Sequence, residues 1–255
     1  MNLNCKPELG AHLHGRTQQV RVITEGWFQG FGNCLTCMSD ILEPTRANTK
    51  ARDFICPQCH APYELKSSAK TLGTRVIAGE FSTMMARIEA REAPTLMLLQ
   101  YTPTWQIHNL VALHSIFLTP AVVEARRPLS PTARRAGWQG CNLRVDRIPE
   151  DGRIAIVKNG IVNGRTAVRR LYAKSVRLAE LKPAQRGWTV LALDAMRKID
   201  KTEFSLREMY SYEDEMHAAY PQNNHVRDKI RQQMQVLRDL GYIEFLGRGE
   251  YRVLV

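Results

Sequence analysis

No run of apolar residues in this chain approaches the roughly 18 residues that a membrane-spanning helix requires. The best candidate, residues 107–123, is interrupted by two histidines, an asparagine and a proline. The first residues lack the apolar core of a signal peptide. Glycine and proline number only 16 and 12, which excludes a collagen-like protein or a linker. We therefore expect a soluble, cytoplasmic, globular protein with no membrane partner.

Acidic residues are scarce relative to basic ones. The 255 residues include 36 lysines and arginines against 25 aspartates and glutamates, a formal net charge of +11. A positive field of this size attracts polyanions. The basic residues are also clustered, since residues 126–144 contain five arginines and no acid, and residues 225–238 contain three arginines and a lysine. Two separate basic segments favour a nucleic acid that is held in two places.

Four of the six cysteines form two Cys-x2-Cys pairs with 18 residues between them: Cys34, Cys37, Cys56 and Cys59. This spacing is typical of a structural zinc site in which each pair forms one knuckle. Four thiolates complete a tetrahedron around the ion and leave no open position for chemistry. The sequence therefore predicts a Zn²⁺ ion that stabilises the fold.

Two acidic side chains and one basic side chain lie close in sequence to the second cysteine pair. Asp53 lies just before the second cysteine pair, and residues 61–67 predict a strand in which Glu64 and Lys66 share one face. The resulting spacing, Asp-x10-Glu-x-Lys, suits magnesium-dependent hydrolysis of phosphodiesters. Asp53, Glu64 and the carbonyl of Leu65 are hard oxygen ligands of the kind that Mg²⁺ prefers. Lys66 could steady the attacking hydroxide and the transition state.

Alone, this triplet is weak evidence, because a surface glutamate–lysine pair on a solvated strand has the same pattern. The knuckle formed by Cys56 and Cys59 limits the separation of Asp53 from the strand, and the net charge favours a nucleic-acid substrate. Together these observations favour a nuclease. Glu25, on a helix predicted over residues 17–28, could join the metal site, but we interpret it as an exposed carboxylate and leave it out.

From residue 188 onward the pattern predicts a winged helix, which is three helices followed by a β-hairpin. The predicted elements are a helix over 189–199, a second over 206–219 behind a Ser205–Glu208 capping box, a third from an N-cap at Asn224 to Leu240, and a hairpin over 242–254. The side chains that could contact DNA in this region are Arg227, Lys229, Arg231, Gln232 and Arg248. A winged helix that binds another protein would have the same pattern.

The middle of the chain predicts a mixed α/β core. Its elements are a helix over 82–92 and strands over 96–101, 107–113, 142–147 and 153–158, the last two extending the same sheet. The basic loop over residues 128–140 contains Arg134, Arg135 and Trp138. Loops of this kind contact phosphates, and Trp138 either meets a base or a methyl group or anchors the loop in the core.

These features together resemble the DpnI, or Dam-replacing, family over almost the whole chain. The likeness rests on the metal-site triplet, the interleaved cysteines and the segments 128–141 and 223–252. It implies a type II, methyl-directed restriction endonuclease of the PD-(D/E)XK superfamily that cuts double-stranded DNA at GATC when the adenine carries an N6-methyl group. It also implies a catalytic PD-(D/E)XK α/β domain with an embedded zinc site over 1–183, and a winged-helix DNA-binding domain over 184–255.

The resemblance places Mg²⁺ on Asp53, Glu64 and the Leu65 carbonyl, the catalytic lysine at Lys66, and Zn²⁺ on the four cysteines. Arg52 stands where the family's usual proline precedes the first acid. The alternative from another class is a zinc-containing winged-helix regulator that binds DNA without cutting it. The oligomeric state, with a monomer as one option, is left open, as is the number of strands that must be methylated.

Overall fold

The computed structural model describes residues 1–46, 49 and 52–254. Its α-helices are α1 Arg16–Phe31, α2 Phe81–Glu89, α3 Arg165–Lys174, α4 Pro183–Ile199, α5 Leu206–Tyr210, α6 Glu213–Ala219 and α7 Val226–Asp239. Its strands are β1 Glu43–Pro44, β2 Phe54–Ile55, β3 Pro62–Ser68, β4 Arg75–Glu80, β5 Thr95–Tyr101, β6 Ile107–Leu113, β7 Val123–Ala125, β8 Gly140–Arg144, β9 Arg153–Lys158, β10 Ile161–Val162, β11 Glu203–Ser205, β12 Ile243–Gly247 and β13 Glu250–Val253. Within these ranges, no helix is both long and apolar enough to cross a membrane.

The chain divides into two compact units, and the first is assembled from residues 1–73, 92–115 and 151–175. A seven-stranded sheet in the order β1-β2-β3-β5-β6-β9-β10 forms its centre, and β3 and β5 are its parallel pair. All of β5 except Gln100 is buried, as expected for a strand with a neighbour on each side. Trp27 and Phe28 of α1 and Val168 and Tyr172 of α3 belong to the same core. The sheet therefore holds β3, the strand of Glu64, as an inner strand.

The second unit is assembled from residues 74–91 and 116–150 and from the chain from Val176 onward. It contains two three-stranded antiparallel sheets, β4-β8-β7 and β11-β13-β12. Helix α4 is buried from Arg186 to Met196 and packs against α7. The domain boundary predicted between residues 183 and 184 falls at the start of α4 and stays a prediction.

The predicted strand over 142–147 is wrong in its placement. The strand that forms, β8, pairs with β4 and β7 in a separate sheet, and residues 145–147 form a 3₁₀ turn. No sequence pattern predicted β4, the strand that pairs with β8. The alternation of apolar residues in β8 therefore predicted a strand but not the sheet that it joins. The strand over 153–158, by contrast, extends the main sheet beside β6 as predicted.

The winged-helix elements follow the sequence with three corrections, of which the first is that the helix predicted over 189–199 begins six residues earlier, at Pro183. The Ser205–Glu208 capping box is present, but the helix it starts ends at Tyr210, because the Ser211 hydroxyl donates to the Glu208 carbonyl at 2.6 Å and closes the turn. The predicted second helix over 206–219 is therefore two helices, α5 and α6. Helix α7 begins at Val226 and not behind an Asn224 cap. The predicted hairpin is confirmed as β12 and β13.

Candidate metal centre and active site

Two turns bring the four paired cysteines together, and all four sulfur atoms lie within 4.8 Å of one another. Between the knuckles, Cys34 Sγ is 3.5 Å from Cys59 Sγ and Cys37 Sγ is 3.6 Å from Cys56 Sγ. A tetrahedron with zinc–sulfur distances of about 2.3 Å has edges of about 3.8 Å, so these separations fit the ion. They are far longer than the bond of about 2.0 Å in a disulfide. The cluster could hold a metal such as zinc.

Backbone N–H groups donate hydrogen bonds to sulfur atoms of this cluster. Cys34 Sγ accepts hydrogen bonds from the N–H groups of Thr36 and Cys37 at 3.3 and 3.4 Å. Burial raises the pKa of the Cys56 thiol, but hydrogen bonds from N–H groups of the following turn outweigh it and lower that pKa to about 6. Burial and the neighbouring sulfur atoms raise the pKa of Cys59 to about 12. The thiolate at Cys56 is the form that a metal binds.

Two side chains tie the knuckle to the sheet. Arg169 of α3 donates a hydrogen bond to the Cys34 carbonyl at 3.1 Å. Tyr63 of β3 is buried, and its hydroxyl oxygen accepts a hydrogen bond from the Leu35 N–H at 2.8 Å while lying 3.3 Å from Cys34 Sγ. The backbone carbonyl of Tyr63 accepts a hydrogen bond from the Asp53 N–H at 2.8 Å. A single residue therefore links a cysteine of the cluster to the first carboxylate of the predicted triplet.

The triplet itself assembles on β3 and on the segment before β2. Asp53 Oδ2 accepts a hydrogen bond from the Leu65 N–H at 2.9 Å. Glu64 Oε1 lies 2.5 Å from Lys66 Nζ, so these two side chains share a face of β3, as the alternation predicts. Asp53 and Glu64 line one cavity of about 220 Å³. Asp53, Leu65 and Lys66 line a second cavity of about 450 Å³.

Glu64 carries an orphaned oxygen. Its side chain is only 8% exposed, and Oε2 is buried with no hydrogen-bond partner among the residues that the structure describes. Leaving a buried charged oxygen unsatisfied is costly, and a divalent cation would satisfy it. Asp53 and the Leu65 carbonyl add the hard oxygen donors that Mg²⁺ prefers. The donor set fits the ion, and the roles of these residues and of Lys66 stay predictions.

One side of this site comes from α1, the helix whose Glu25 the sequence-based prediction left out of the site. Arg21 and Glu25 line both cavities together with Asp53. The side chain of Glu25 is 29% exposed and half-buried, which corrects its interpretation as an exposed carboxylate. The signal that could have found this face is the polar spacing along α1, where Thr17, Arg21 and Thr24 recur every three or four residues.

The basic loop of the second unit holds its tryptophan in a fixed place. Trp138 is half-buried, and the Arg135 guanidinium lies 4.8 Å from its ring centroid. The ring also packs against Gly140, where the Cβ atom of any larger residue would come within 2.9 Å of it. The Trp138 carbonyl accepts a hydrogen bond from the Leu129 N–H at 2.9 Å, which closes the loop. Arg134 and Arg135 are exposed, and the contacts of all three predicted residues with DNA stay predictions.

The predicted DNA contacts of the winged helix are at least partly exposed: Arg227, Lys229, Arg231, Gln232 and Arg248. Two of them make cation–π contacts with the same ring, since the guanidinium groups of Arg227 and Arg231 lie 5.3 and 5.7 Å from the Tyr210 ring centroid. Arg227 is further held by Glu213 at 2.7 Å. Arg248 lies at the hairpin turn with a φ of 51°. These contacts orient the side chains, and their reading of DNA is a prediction.

Comparison with known families gives two matches that follow one another along the chain. Residues 1–181 match the family described as DpnI, the Dam-replacing family. Residues 184–253 match the Dam-replacing helix-turn-helix domain. The first match contains the cysteine cluster and both cavities lined by Asp53, and the second contains α5, α6, α7 and the hairpin.

Proposed function

The chain belongs to the Dam-replacing family, and from that membership we propose that it is a methyl-directed type II restriction endonuclease. Membership implies a restriction endonuclease with a helix-turn-helix domain that binds DNA. The finer proposal is that it hydrolyses double-stranded DNA at GATC sites that contain N6-methyladenine. The observation that supports hydrolysis is the buried, orphaned oxygen of Glu64 beside Lys66, in a cavity that Asp53 also lines.

Each residue of the triplet has a distinct task in this proposal. Asp53 and Glu64, with the Leu65 carbonyl, hold Mg²⁺, which when bound supplies the charge that lowers the pKa of a water and offsets charge on the scissile phosphate. The Leu65 N–H fixes one oxygen of Asp53 at 2.9 Å and so orients the carboxylate. Lys66 is 31% exposed and lines the larger cavity, where its ammonium can stabilise the attacking hydroxide and the phosphate.

A plasmid assay tests the proposal. The protein is incubated with the same plasmid in adenine-methylated and unmethylated form, each with and without added Mg²⁺. We expect cleavage only of methylated DNA in the presence of Mg²⁺, with every fragment end at GATC. Cleavage of both plasmids would remove the methyl dependence. Binding of GATC duplexes without any nicking would make the protein a zinc-containing winged-helix regulator.

Methyl selectivity has a simple physical basis. An N6-methyl group keeps one amino proton of adenine and adds an apolar group in the major groove. Burying one such group is worth about 0.8 kcal/mol, which is about fourfold in affinity. A pocket for a methyl group therefore discriminates weakly on its own. Contacts to two methyl groups, made by two DNA-reading domains, would multiply the selectivity.

We expect Trp138→Ala to lower the preference for methylated over unmethylated GATC by about fourfold for each methyl group that the ring contacts. The half-buried ring, held between Arg135 and Gly140, offers an apolar surface to a methyl group. The measurement is the ratio of cleavage rates on the two duplexes. Trp138→Phe is the control, since a smaller ring should keep part of the preference. An unchanged ratio for Trp138→Ala, with a lowered unfolding temperature, would assign Trp138 to the core.

A further inference from the structure

We propose that Arg21 of α1 binds a phosphate of the DNA strand and that Glu25 positions its guanidinium. This inference rests on the proposed function, because it names how the nuclease site holds its substrate. The two residues are four positions apart on a helix whose other side carries the buried residues Ile23 and Trp27. Arg21 and Glu25 therefore face away from the core and into the cavities that Asp53 lines.

The larger of these cavities lies between α1 and β3. Its charged lining residues are Arg16, Arg21, Glu25, Asp53 and Lys66. Three cations against two carboxylates leave the lining positive before any metal ion binds. The Thr24 hydroxyl on the same face accepts a hydrogen bond from the Ser67 hydroxyl of β3 at 2.9 Å, which fixes the helix against the strand. The cavity therefore has a rigid, basic wall opposite the strand of Lys66.

Among the residues that the structure describes, the guanidinium of Arg21 is hydrogen-bonded only through its Nε. Its Nε donates to Glu25 Oε1 at 2.7 Å, and its terminal nitrogens donate to none of the residues that the structure describes. The hydrogen bond and charge of Glu25, with the charge of Asp53, raise the pKa of Arg21, so the group stays cationic. A guanidinium has five N–H donors in a planar fork that matches phosphate. With Nε occupied, the four N–H groups of the terminal nitrogens are available to a phosphate.

A different role for Glu25, as a third carboxylate on the metal, fits the geometry less well. Among the residues that the structure describes, the cysteine cluster is the one set of three or more metal-ligating side chains whose ligand atoms gather within 4.8 Å. Glu25, Asp53 and Glu64 do not meet that spacing. Glu25 is instead engaged by Arg21. The geometry therefore favours positioning of the arginine over ligation of the ion.

The test is the salt dependence of DNA binding, measured with a methylated GATC duplex and no added Mg²⁺, so that no cleavage occurs and the zinc site is left intact. Each phosphate contact contributes about 0.9 to the slope of log K against log salt concentration. We expect Arg21→Gln to reduce the magnitude of that slope by about 0.9, and to lower cleavage with Mg²⁺ by about 10²-fold. The matched control is Arg165→Gln, which removes an arginine of similar exposure, 49% against 45%, from the same unit. Arg165 lines neither cavity, and its variant should keep the wild-type slope.

Glu25→Gln separates the two roles of the carboxylate. If Glu25 positions Arg21, this variant weakens DNA binding less than Arg21→Gln does, and the Mg²⁺ concentration for half-maximal cleavage stays at its wild-type value. A raised Mg²⁺ requirement would make Glu25 a metal ligand and overturn the inference, as would an unchanged salt slope in Arg21→Gln. A wild-type protein that binds the duplex and never cuts it would refute the nuclease proposal alone, because the salt slope decides the role of Arg21 without cleavage.

Discussion

Lys66→Ala is expected to lower the rate of DNA cleavage by about 10²–10³-fold, the usual effect of removing one group that stabilises developing charge. The ammonium lies 2.5 Å from Glu64 Oε1 and lines the larger cavity, so the variant loses a cation beside the phosphate. The loss should fall on the chemical step. Single-turnover cleavage of a methylated GATC duplex measures that step, and duplex binding without added Mg²⁺ measures affinity separately.

Lys70→Ala is the matched control for this experiment. Lys70 is exposed, follows β3 by two residues and lines neither cavity, so its removal changes the net charge equally and should leave the cleavage rate near that of wild type. Equal losses in the two variants would mean that general charge, and not the position of Lys66, determines the rate. Full activity in Lys66→Ala would remove the triplet from the mechanism.

Cys56→Ser is expected to prevent the first unit from folding. A structural zinc site contributes about 10–16 kcal/mol of binding free energy in small zinc-binding domains. That contribution rivals or exceeds the total stability of about 5–15 kcal/mol that a domain of this size has. Cys56 is fully buried in the sulfur cluster, so an oxygen there cannot be compensated by solvent. Elemental analysis should find less than one zinc ion per chain, and thermal unfolding should lose its cooperative transition.

Cys5→Ala provides the comparison, because Cys5 is buried in the same core but lies outside the four-sulfur cluster. This variant loses one packed sulfur atom and should keep its zinc ion, its cooperative unfolding and its cleavage activity. Cys59→His is a second comparison, since a more exposed position can exchange one zinc ligand type for another. Cys56→Ser with a full zinc content and the wild-type unfolding temperature would show that the cluster does not stabilise the fold.

The features that could be predicted from the sequence are those fixed by short-range chemistry. The cysteine spacing indicated a cluster whose sulfur atoms gather as expected, because two cysteines only three positions apart form each half of it. Alternation along residues 61–67 placed Glu64 and Lys66 on one face, since the side-chain period of a strand leaves no other choice. The capping box at Ser205 was recognisable for the same reason.

What could not be predicted depends on partners distant in the chain. The sheet that β8 joins is decided by its pairing with β7 and with β4, and β4 is far from it in sequence. The end of α5 depends on whether the Ser211 hydroxyl bonds to its own helix or to solvent. Glu25 could not be placed in the site because its exposure depends on the packing of α1 against β3. In each case the sequence allows more than one local structure, and contacts in the folded chain determine which one forms.

The double attachment of Tyr63 would couple the proposed nuclease site to the cysteine cluster. Its hydroxyl lies against Cys34 and its carbonyl accepts the hydrogen bond of the Asp53 N–H, so the cluster and the first acid are attached to the same residue of β3. If the chain is the proposed nuclease and zinc completes the cluster, a freshly synthesised chain would reach its active arrangement only after it acquires that ion. Zinc uptake during biosynthesis would then be the step that activates each molecule, and it would occur once.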